Sequence, residues 1–276
     1  MRGGLTDGAC HTGGVSYAYL KGHGTENDFV VLPDPDGTVH GDLSPERVRA
    51  LCDRRAGIGA DGVLRAVRVD GGRWFMDYRN GDGSIGEMCG NGIRVFARYL
   101  HEREGAAFPM EIETRSGVKT LEQSGDEYTA DMGVPAVFGE TTVSVGERTW
   151  PARHVSMGNP HAVAFVDDLA EAGHLLEPPG RDLAVFPDGV NVEFVVRRGE
   201  HHVAMRVHER GAGETRSCGT GAGAVAVVAA LADDAPRGTP YRVDVPGGTL
   251  TIVWTTDDRV LMTGPAEIVA VGVTDL

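Results

Sequence analysis

Short apolar runs of β type alternate with turn residues along most of the chain. The 40 glycines stand largely in small polar clusters, which is typical of tight backbone turns. The pattern therefore predicts a turn-rich β protein. The predicted strands cover residues 17–20, 29–32, 62–69, 73–78, 109–113, 128–131, 161–166, 191–197, 203–209, 241–245, 249–254 and 259–263.

Three segments have a helical pattern instead. Residues 91–102 follow a glycine-rich turn and carry apolar side chains at helical spacing. Residues 222–232 are apolar almost all round, which indicates a helix enclosed on every side. In 44–52, Ser44 can cap the helix and Pro45 suits its first position.

The two inner helices begin with nearly the same motif. Residues 88–92 read Met-Cys-Gly-Asn-Gly and residues 217–221 read Ser-Cys-Gly-Thr-Gly, about half a chain apart. This repetition favours an α/β (α+β) fold of two pseudo-symmetric lobes, each a mixed β-sheet or barrel wrapped around a central helix. We expect residues 1–16 to form a flexible tail, 17–133 with 265–276 the N-terminal lobe, and 134–264 the C-terminal lobe.

Charge and hydrophobicity restrict the class of partner. Asp and Glu outnumber Lys and Arg by 40 to 26, so binding to nucleic acid or to an anionic membrane lacks its electrostatic driving force. The longest apolar segment, 221–232, is shorter than the roughly 20 residues that cross a bilayer. We expect a cytoplasmic protein with a small-molecule partner; monomer and homodimer both stay open.

Cysteines at helix starts suit proton transfer at a carbon atom. A helix N-terminus lowers the pKa of a thiol and binds anions such as carboxylates. Inversion of an α-carbon needs one group on each face, and Cys89 and Cys218 would provide the pair. Glycines at 90, 92, 219 and 221 keep the backbone N–H donors accessible to a carboxylate.

Other cysteine chemistry is less well supported. Cys10, Cys52, Cys89 and Cys218 show no CxxC spacing, so neither a zinc site nor a thioredoxin-like pair is predicted. A disulfide between Cys89 and Cys218 would be an oxidised, inactive state. Because P-loop and HExxH motifs are absent from the sequence, we expect neither a metal nor a cofactor.

Two further segments supply groups that could tune the thiols. Asn159 and His161 lie in a Gly- and Pro-containing loop, and Glu209 and Arg210 follow a predicted strand. A histidine and a carboxylate adjust thiol protonation, and an arginine can hold a carboxylate in bidentate fashion.

Eight short motifs occur in order between about residue 17 and the C-terminus. They are Gly-His-Gly-Thr-Glu-Asn-Asp-Phe at 22–29, Arg-Ala-Gly-Ile-Gly at 55–59, Asn-Gly-Asp-Gly-Ser at 80–84, Cys-Gly-Asn-Gly at 89–92, Met-Gly-Asn-Pro-His at 157–161, Gly-Val-Asn at 189–191, Glu-Arg-Gly-Ala-Gly-Glu at 209–214 and Cys-Gly-Thr-Gly at 218–221. With these motifs the chain resembles the diaminopimelate epimerase family, and their order makes the resemblance specific.

The resemblance implies cofactor-independent conversion of LL-2,6-diaminopimelate to the meso form, on the route to lysine and peptidoglycan. It implies that Cys89 and Cys218 are the catalytic pair, with His161 and Glu209 tuning their protonation. The substrate-binding residues that it implies are Asn27, Asn80, Gly90, Asn91, Asn159, Asn191, Glu209, Arg210, Gly219 and Thr220.

Two positions depart from the family pattern, and alternatives remain. Glu26 stands where the family often has glycine, and Gly62 stands where a glutamine is common. The chemistry is therefore better supported than the substrate specificity.

A related pyridoxal-independent racemase with another substrate is the alternative enzyme, although proline-type enzymes carry histidine where Asn91 stands. A binding protein on the same scaffold is a weaker hypothesis because both cysteines are present. A thiol–disulfide oxidoreductase is also weaker because the sequence has no CxxC motif.

Overall fold

The computed structural model describes residues 16–69 and 71–276. The predicted flexible tail, except Ser16, and Cys10 lie outside the described residues. The described part contains eighteen strands, three α-helices and one 3-10 turn. They are β1 (Tyr17–Gly24), β2 (Asn27–Pro33), α1 (Pro45–Cys52), β3 (Gly62–Arg68), β4 (Trp74–Asn80), α2 (Gly90–Glu104), β5 (Met110–Thr114), β6 (Gly117–Ser124), β7 (Glu127–Asp131), β8 (Ala136–Val145), β9 (Arg148–Ser156), β10 (Pro160–Phe165), the 3-10 turn (Leu169–Ala172), β11 (Gly180–Arg181), β12 (Asn191–Gly199), β13 (His202–Glu209), β14 (Gly213–Thr215), α3 (Gly219–Ala232), β15 (Pro240–Val245), β16 (Gly248–Trp254), β17 (Val260–Pro265) and β18 (Glu267–Thr274).

Strand pairing repeats along the chain. In the first half, β18, β1, β2, β3, β4, β5, β6 and β7 are neighbours in that order, with β2–β3 and β4–β5 parallel and the other pairs antiparallel. In the second half, β8, β9, β10, β12, β13, β15, β16 and β17 follow in that order, with β10–β12 and β13–β15 parallel. The antiparallel pair β7–β17 joins the halves into one sheet.

Each half packs around one helix. Helix α2 contacts β1, β2, β7 and β18, whereas α3 contacts β15, β16, β10 and β12. One hydrophobic cluster contains the buried side chains of both helices, so the two halves share a core. The expected sheet-dominated α+β class, with similar halves around central helices, is confirmed.

Local sequence explains where the central helices begin and end. Cys89 and Cys218 are the N-caps, with extended backbones and sulfurs that accept N–H groups of the first turn. Gly105 ends α2 at φ +69°, where its N–H donates to Leu100 O. Such a left-handed cap favours glycine.

The three predicted helices are confirmed, with inner-helix boundaries a few residues longer than expected. The predicted strands are present, but β6, β8, β9, β11, β14 and β18 were missing from the prediction. Strands β6, β8 and β9 are largely exposed, so the alternation of buried and exposed side chains is weak. Strands β11 and β14 have only two and three residues. Strand β18 returns to pair with β1. The lobe boundaries at 133/134 and 264/265 stay a proposal; they fall just after β7 and at the end of β17.

We expect Phe96→Ala to destabilise the protein by about 3–5 kcal/mol, because this ring is fully buried on α2 in the shared core. The control is the same substitution at Phe138, which is 49% exposed on β8. Urea unfolding of both variants measures the difference. Equal losses would contradict the central position of α2 in the core.

Candidate active site

The two predicted catalytic cysteines occupy equivalent positions. The Sγ of Cys89 accepts the N–H of Gly92 at 3.4 Å, and the Sγ of Cys218 accepts the N–H of Gly221 at 3.4 Å. Each thiol therefore lies against the first turn of its own helix. Both are free thiols.

The N-termini of α2 and α3 meet in the interior. A side-chain carbon added to Gly219 would lie 3.5 Å from the Cα of Gly90 and 3.3 Å from Met262. One added to Gly90 would lie 2.6 Å from the Met262 side chain and 2.8 Å from that of Met132. The two glycines thus allow the helix ends, and with them the two cysteines, to approach each other.

The expectation that the helix ends lower the thiol pKa values is wrong for the protein in this state. Burial raises the pKa of Cys89 to about 11, although the N–H of Gly92 acts in the opposite direction. Burial also raises the pKa of Cys218, and the nearby Glu209 and Glu193 carboxylates raise it further. Desolvation of the thiolate outweighs the helix field, so both groups are thiols at neutral pH.

Cys218 has a proton acceptor next to it. The carboxylate of Glu209, at the end of β13, lies near enough to raise the pKa of Cys218, whose Sγ is 3.5 Å from Thr220 Oγ1. Glu209 also accepts a short hydrogen bond from Thr215. Burial raises the pKa of Glu209, which makes it a stronger base than an exposed glutamate.

A second carboxylate, Glu193 on β12, lies behind this site and was not predicted from the sequence. It is fully buried, and its Oε1 is 2.6 Å from Nδ1 of the equally buried His161. The Nε2 of His161 is 3.0 Å from Asn159 Oδ1. Both ring nitrogens of His161 are therefore held by protein groups. Burial raises the pKa of Glu193.

Cys89 has amide neighbours instead. Its thiol donates to Asn27 Oδ1 at 3.6 Å, and the same oxygen accepts from Asn91 Nδ2 at 3.2 Å. Asn91 also donates to the Ser217 carbonyl at 3.1 Å, which links the start of α2 to the residue before Cys218. The Nδ2 of Asn27 donates to Asp61 at 2.8 Å, which fixes the orientation of the Asn27 amide.

The space beside Gly62 is filled by Tyr78, another residue that sequence reasoning missed. A side-chain carbon on Gly62 would lie 2.6 Å from the Arg79 carbonyl and 2.9 Å from the Tyr78 ring. The Tyr78 hydroxyl donates to Asn80 Oδ1 at 2.6 Å, while Asn80 Nδ2 donates to Ser84. Tyr78 thus orients Asn80 and occupies the room that a longer residue 62 would need.

Asn191 and Arg210 differ in exposure. Asn191 is 4% exposed, and its amide accepts the Arg210 N–H at 2.9 Å and donates to the Pro160 carbonyl at 3.2 Å. Its side chain therefore links the start of β10 to the turn after β13. Arg210 is exposed beside Gly189 and lines a hollow of about 190 Å³.

The described part of the chain has neither a side-chain cluster suited to a metal ion nor a helix suited to cross a membrane. Residues 16–69 and 71–276 contain no cluster of three or more His, Cys, Asp or Glu side chains arranged to hold a metal ion. No helix in this part of the chain has the length and apolar character that a membrane crossing requires.

Sequence comparison gives consistent matches. The family model described as diaminopimelate epimerase matches residues 19–138 and 153–269. The diaminopimelate epimerase of Streptomyces coelicolor is 59% identical over 280 residues, covering 92% of this chain and 94% of the relative. That of Corynebacterium glutamicum is 46% identical over 277 residues, covering 94% and 98%.

Solved structures share the fold at low sequence identity. A phenazine biosynthesis protein of the PhzF family from Bacillus anthracis has a TM-score of 0.72 at 15% identity, covering 94% of this chain and 99% of the other. A hydroxyproline epimerase from Agrobacterium vitis has a TM-score of 0.65 at 15% identity, covering 94% and 92%. At this identity the similarity shows the fold alone.

We expect Glu193→Gln to lower the pKa of Cys218 and to leave that of Cys89 unchanged. Removal of the buried negative charge stabilises the Cys218 thiolate, whereas the charged side chains that act most strongly on the pKa of Cys89 are Glu209 and Arg94. The rate of Cys218 alkylation at fixed alkaline pH should rise about three- to tenfold. Peptide mass spectrometry measures both cysteines in one sample, so Cys89 is the internal control. An equal change at both would refute the local effect.

Proposed function

Because this chain belongs to the diaminopimelate epimerase family, we propose that it interconverts LL- and meso-2,6-diaminopimelate, with Cys89 and Cys218 as acid and base and without pyridoxal or metal. The product would serve lysine and peptidoglycan synthesis. The observation that carries the proposal is the meeting of two cysteine-capped helix N-termini at Gly90 and Gly219.

In this mechanism the two cysteines start in different roles. Both are thiols at neutral pH, so a base must remove one proton before reaction. Glu209 accepts the proton of Cys218, and the resulting thiolate removes the α-proton of the substrate. Cys89 delivers its proton to the opposite face, with its S–H directed by Asn27 until transfer. His161, whose ring is held by Glu193 and Asn159, helps to set the electrostatic potential at Cys218.

The reacting carboxylate would bind at the two helix ends. The first N–H groups of a helix lack intrahelical acceptors, and here they belong to Gly90 and Asn91 and to Gly219 and Thr220. Loss of the α-proton increases negative charge on the carboxylate, so these donors stabilise the transition state more than the bound substrate.

The distal amino and carboxylate groups would bind to polar side chains around the cleft. Asn80 can donate to a carboxylate because Tyr78 and Ser84 fix its amide. Arg210 has the charge and exposure to bind a carboxylate. Asn27, Asn159 and Asn191 complete the set, with Asn191 acting by placing Arg210. Tyr78 then fills the space of the glutamine that is common in the family at position 62, and it takes over part of the role of that glutamine.

The setting and assembly are secondary proposals. A cytoplasmic location follows from the proposed biosynthetic role. A homodimer is supported by Val269, Val271 and Val273, which are more than half exposed on β18. Because β18 pairs with β1, a second copy could cover these side chains at the edge of the sheet.

The two-cysteine mechanism predicts complementary defects. With LL- or meso-diaminopimelate in deuterated water, the unmodified protein should form both isomers with deuterium at the α-carbon. Cys89→Ala and Cys218→Ala should each lower epimerisation by at least about 10³-fold, because one face loses its proton carrier. Each variant should retain slow α-deuterium exchange into only one isomer, the opposite one for each variant. NMR of the recovered isomers measures this exchange.

Cys52→Ala is the matched control, because Cys52 is buried on α1 away from both central helices. It should leave both exchange reactions unchanged. Proline and hydroxyproline test the related racemase activity. Epimerisation by the Cys89→Ala, Cys218→Ala double variant would refute the mechanism, and turnover of proline in place of diaminopimelate would refute the substrate assignment.

A further inference from the structure

Arg94 is a buried cation that the mechanism above does not use. It has 0% exposure on α2 and is among the largest fully buried side chains of the described chain. Its guanidinium donates to the Pro265 carbonyl at 3.2 Å, the Gly90 carbonyl at 3.3 Å and Thr25 Oγ1 at 3.5 Å. These acceptors and a fourth, Met262 Sδ at 3.5 Å, are neutral. No ion pair among residues 16–69 and 71–276 involves Arg94, and the Glu127 carboxylate acts on it only from beyond ion-pair distance.

Such a charge is costly unless something compensates it. The buried Arg65 shows the usual arrangement, with Asp34 at 2.7 Å and Asp77 at 3.7 Å. Burial lowers the pKa of Arg94 to about 10, so the guanidinium still carries its charge at neutral pH. A buried cation without a direct ion-pair partner favours a negative charge that binds or forms close to it.

The position of Arg94 identifies that counter-ion. Its bond to the Gly90 carbonyl places the guanidinium next to the first residue of α2, where that helix meets Gly219 of α3. The positive ends of two helices and a guanidinium therefore converge on one region. A thiolate at Cys89 and the carboxylate of a substrate are the negative charges that form or bind there, and Arg94 opposes the rise in the Cys89 pKa.

We propose that Arg94 is a positioning residue of this active site, which stabilises the Cys89 thiolate and the charge that develops on the substrate carboxylate through the α2 N-terminus, without touching the substrate. This inference rests on the proposed epimerase function. It predicts an electrostatic role that a merely structural clamp between Thr25, Gly90 and Pro265 would not have.

The test compares Arg94→Gln with Arg94→Lys. The glutamine variant loses the charge, so its kcat should fall roughly 10- to 100-fold with a smaller change in KM. Alkylation of Cys89 should also shift to higher pH. The lysine variant loses the guanidinium geometry but keeps a cation, so it should recover most of the kcat and the alkylation profile near neutral pH. Its kcat should then fall as the buried lysine deprotonates below its ordinary pKa, a limb absent from the unmodified protein.

Arg98→Gln is the matched control, one helical turn further along α2. Arg98 is partly exposed, pairs with Glu102 and donates to the Ala266 carbonyl. It should leave kcat and the Cys89 profile unchanged, and its activity, with that of the unmodified protein, reports separately on the proposed function.

Unchanged kcat and an unchanged Cys89 profile in folded Arg94→Gln would overturn the proposal. Equal losses in the glutamine and lysine variants, without a new limb, would also overturn it, because a structural clamp is then sufficient. Should Arg94→Gln not fold, the pH–rate profile of Arg94→Lys decides: the new limb supports the electrostatic role, and its absence refutes it.

Discussion

The site depends on one constraint: two helices must point their N-termini at each other, with Gly90 and Gly219 at the point where they meet. Gly90 and Gly219 permit this approach, and the side chains of Met132 and Met262 pack around it. The arrangement places like partial charges together and is electrostatically unfavourable without an anion between them. The shared hydrophobic core holds the helix ends in place. Binding of a carboxylate then relieves a repulsion that folding has already imposed.

Burial decides how the thiols behave in this environment. The helix N–H groups contact both sulfurs, yet removal from water outweighs them and keeps the cysteines protonated. A thiolate is a stronger base when its pKa is high, so burial increases its ability to remove a weakly acidic α-proton. It also requires an acceptor for the first proton, which in the proposed mechanism is Glu209 near Cys218. The basicity that burial gives the thiolate therefore depends on the nearby carboxylate.

The sequence could predict the elements that leave a local pattern. The apolar periodicity of α2, the continuous apolar run of α3 and their repeated Cys-Gly motifs predicted the two central helices and the cysteine pair. The exposed strands β8 and β9 left little apolar alternation, so they were missed. The contact of Glu193 with His161 joins two neighbouring parallel strands, which a single strand pattern cannot reveal. Tyr78 was missed for a similar reason, since its importance comes from its packing on Gly62.

The symmetry of the scaffold matches only part of the chemical problem. An α-carbon presents two faces that need equivalent proton carriers, and the repeated strand pairing supplies two equivalent N-cap thiols. The rest of an amino acid has no such symmetry. The surroundings differ accordingly, because Cys89 contacts an amide from Asn27 whereas the carboxylates of Glu209 and Glu193 raise the pKa of Cys218. In the proposed mechanism, the repeated backbone therefore positions the two proton carriers, while side chains that differ between the halves set the order of deprotonation and the fit of the substrate.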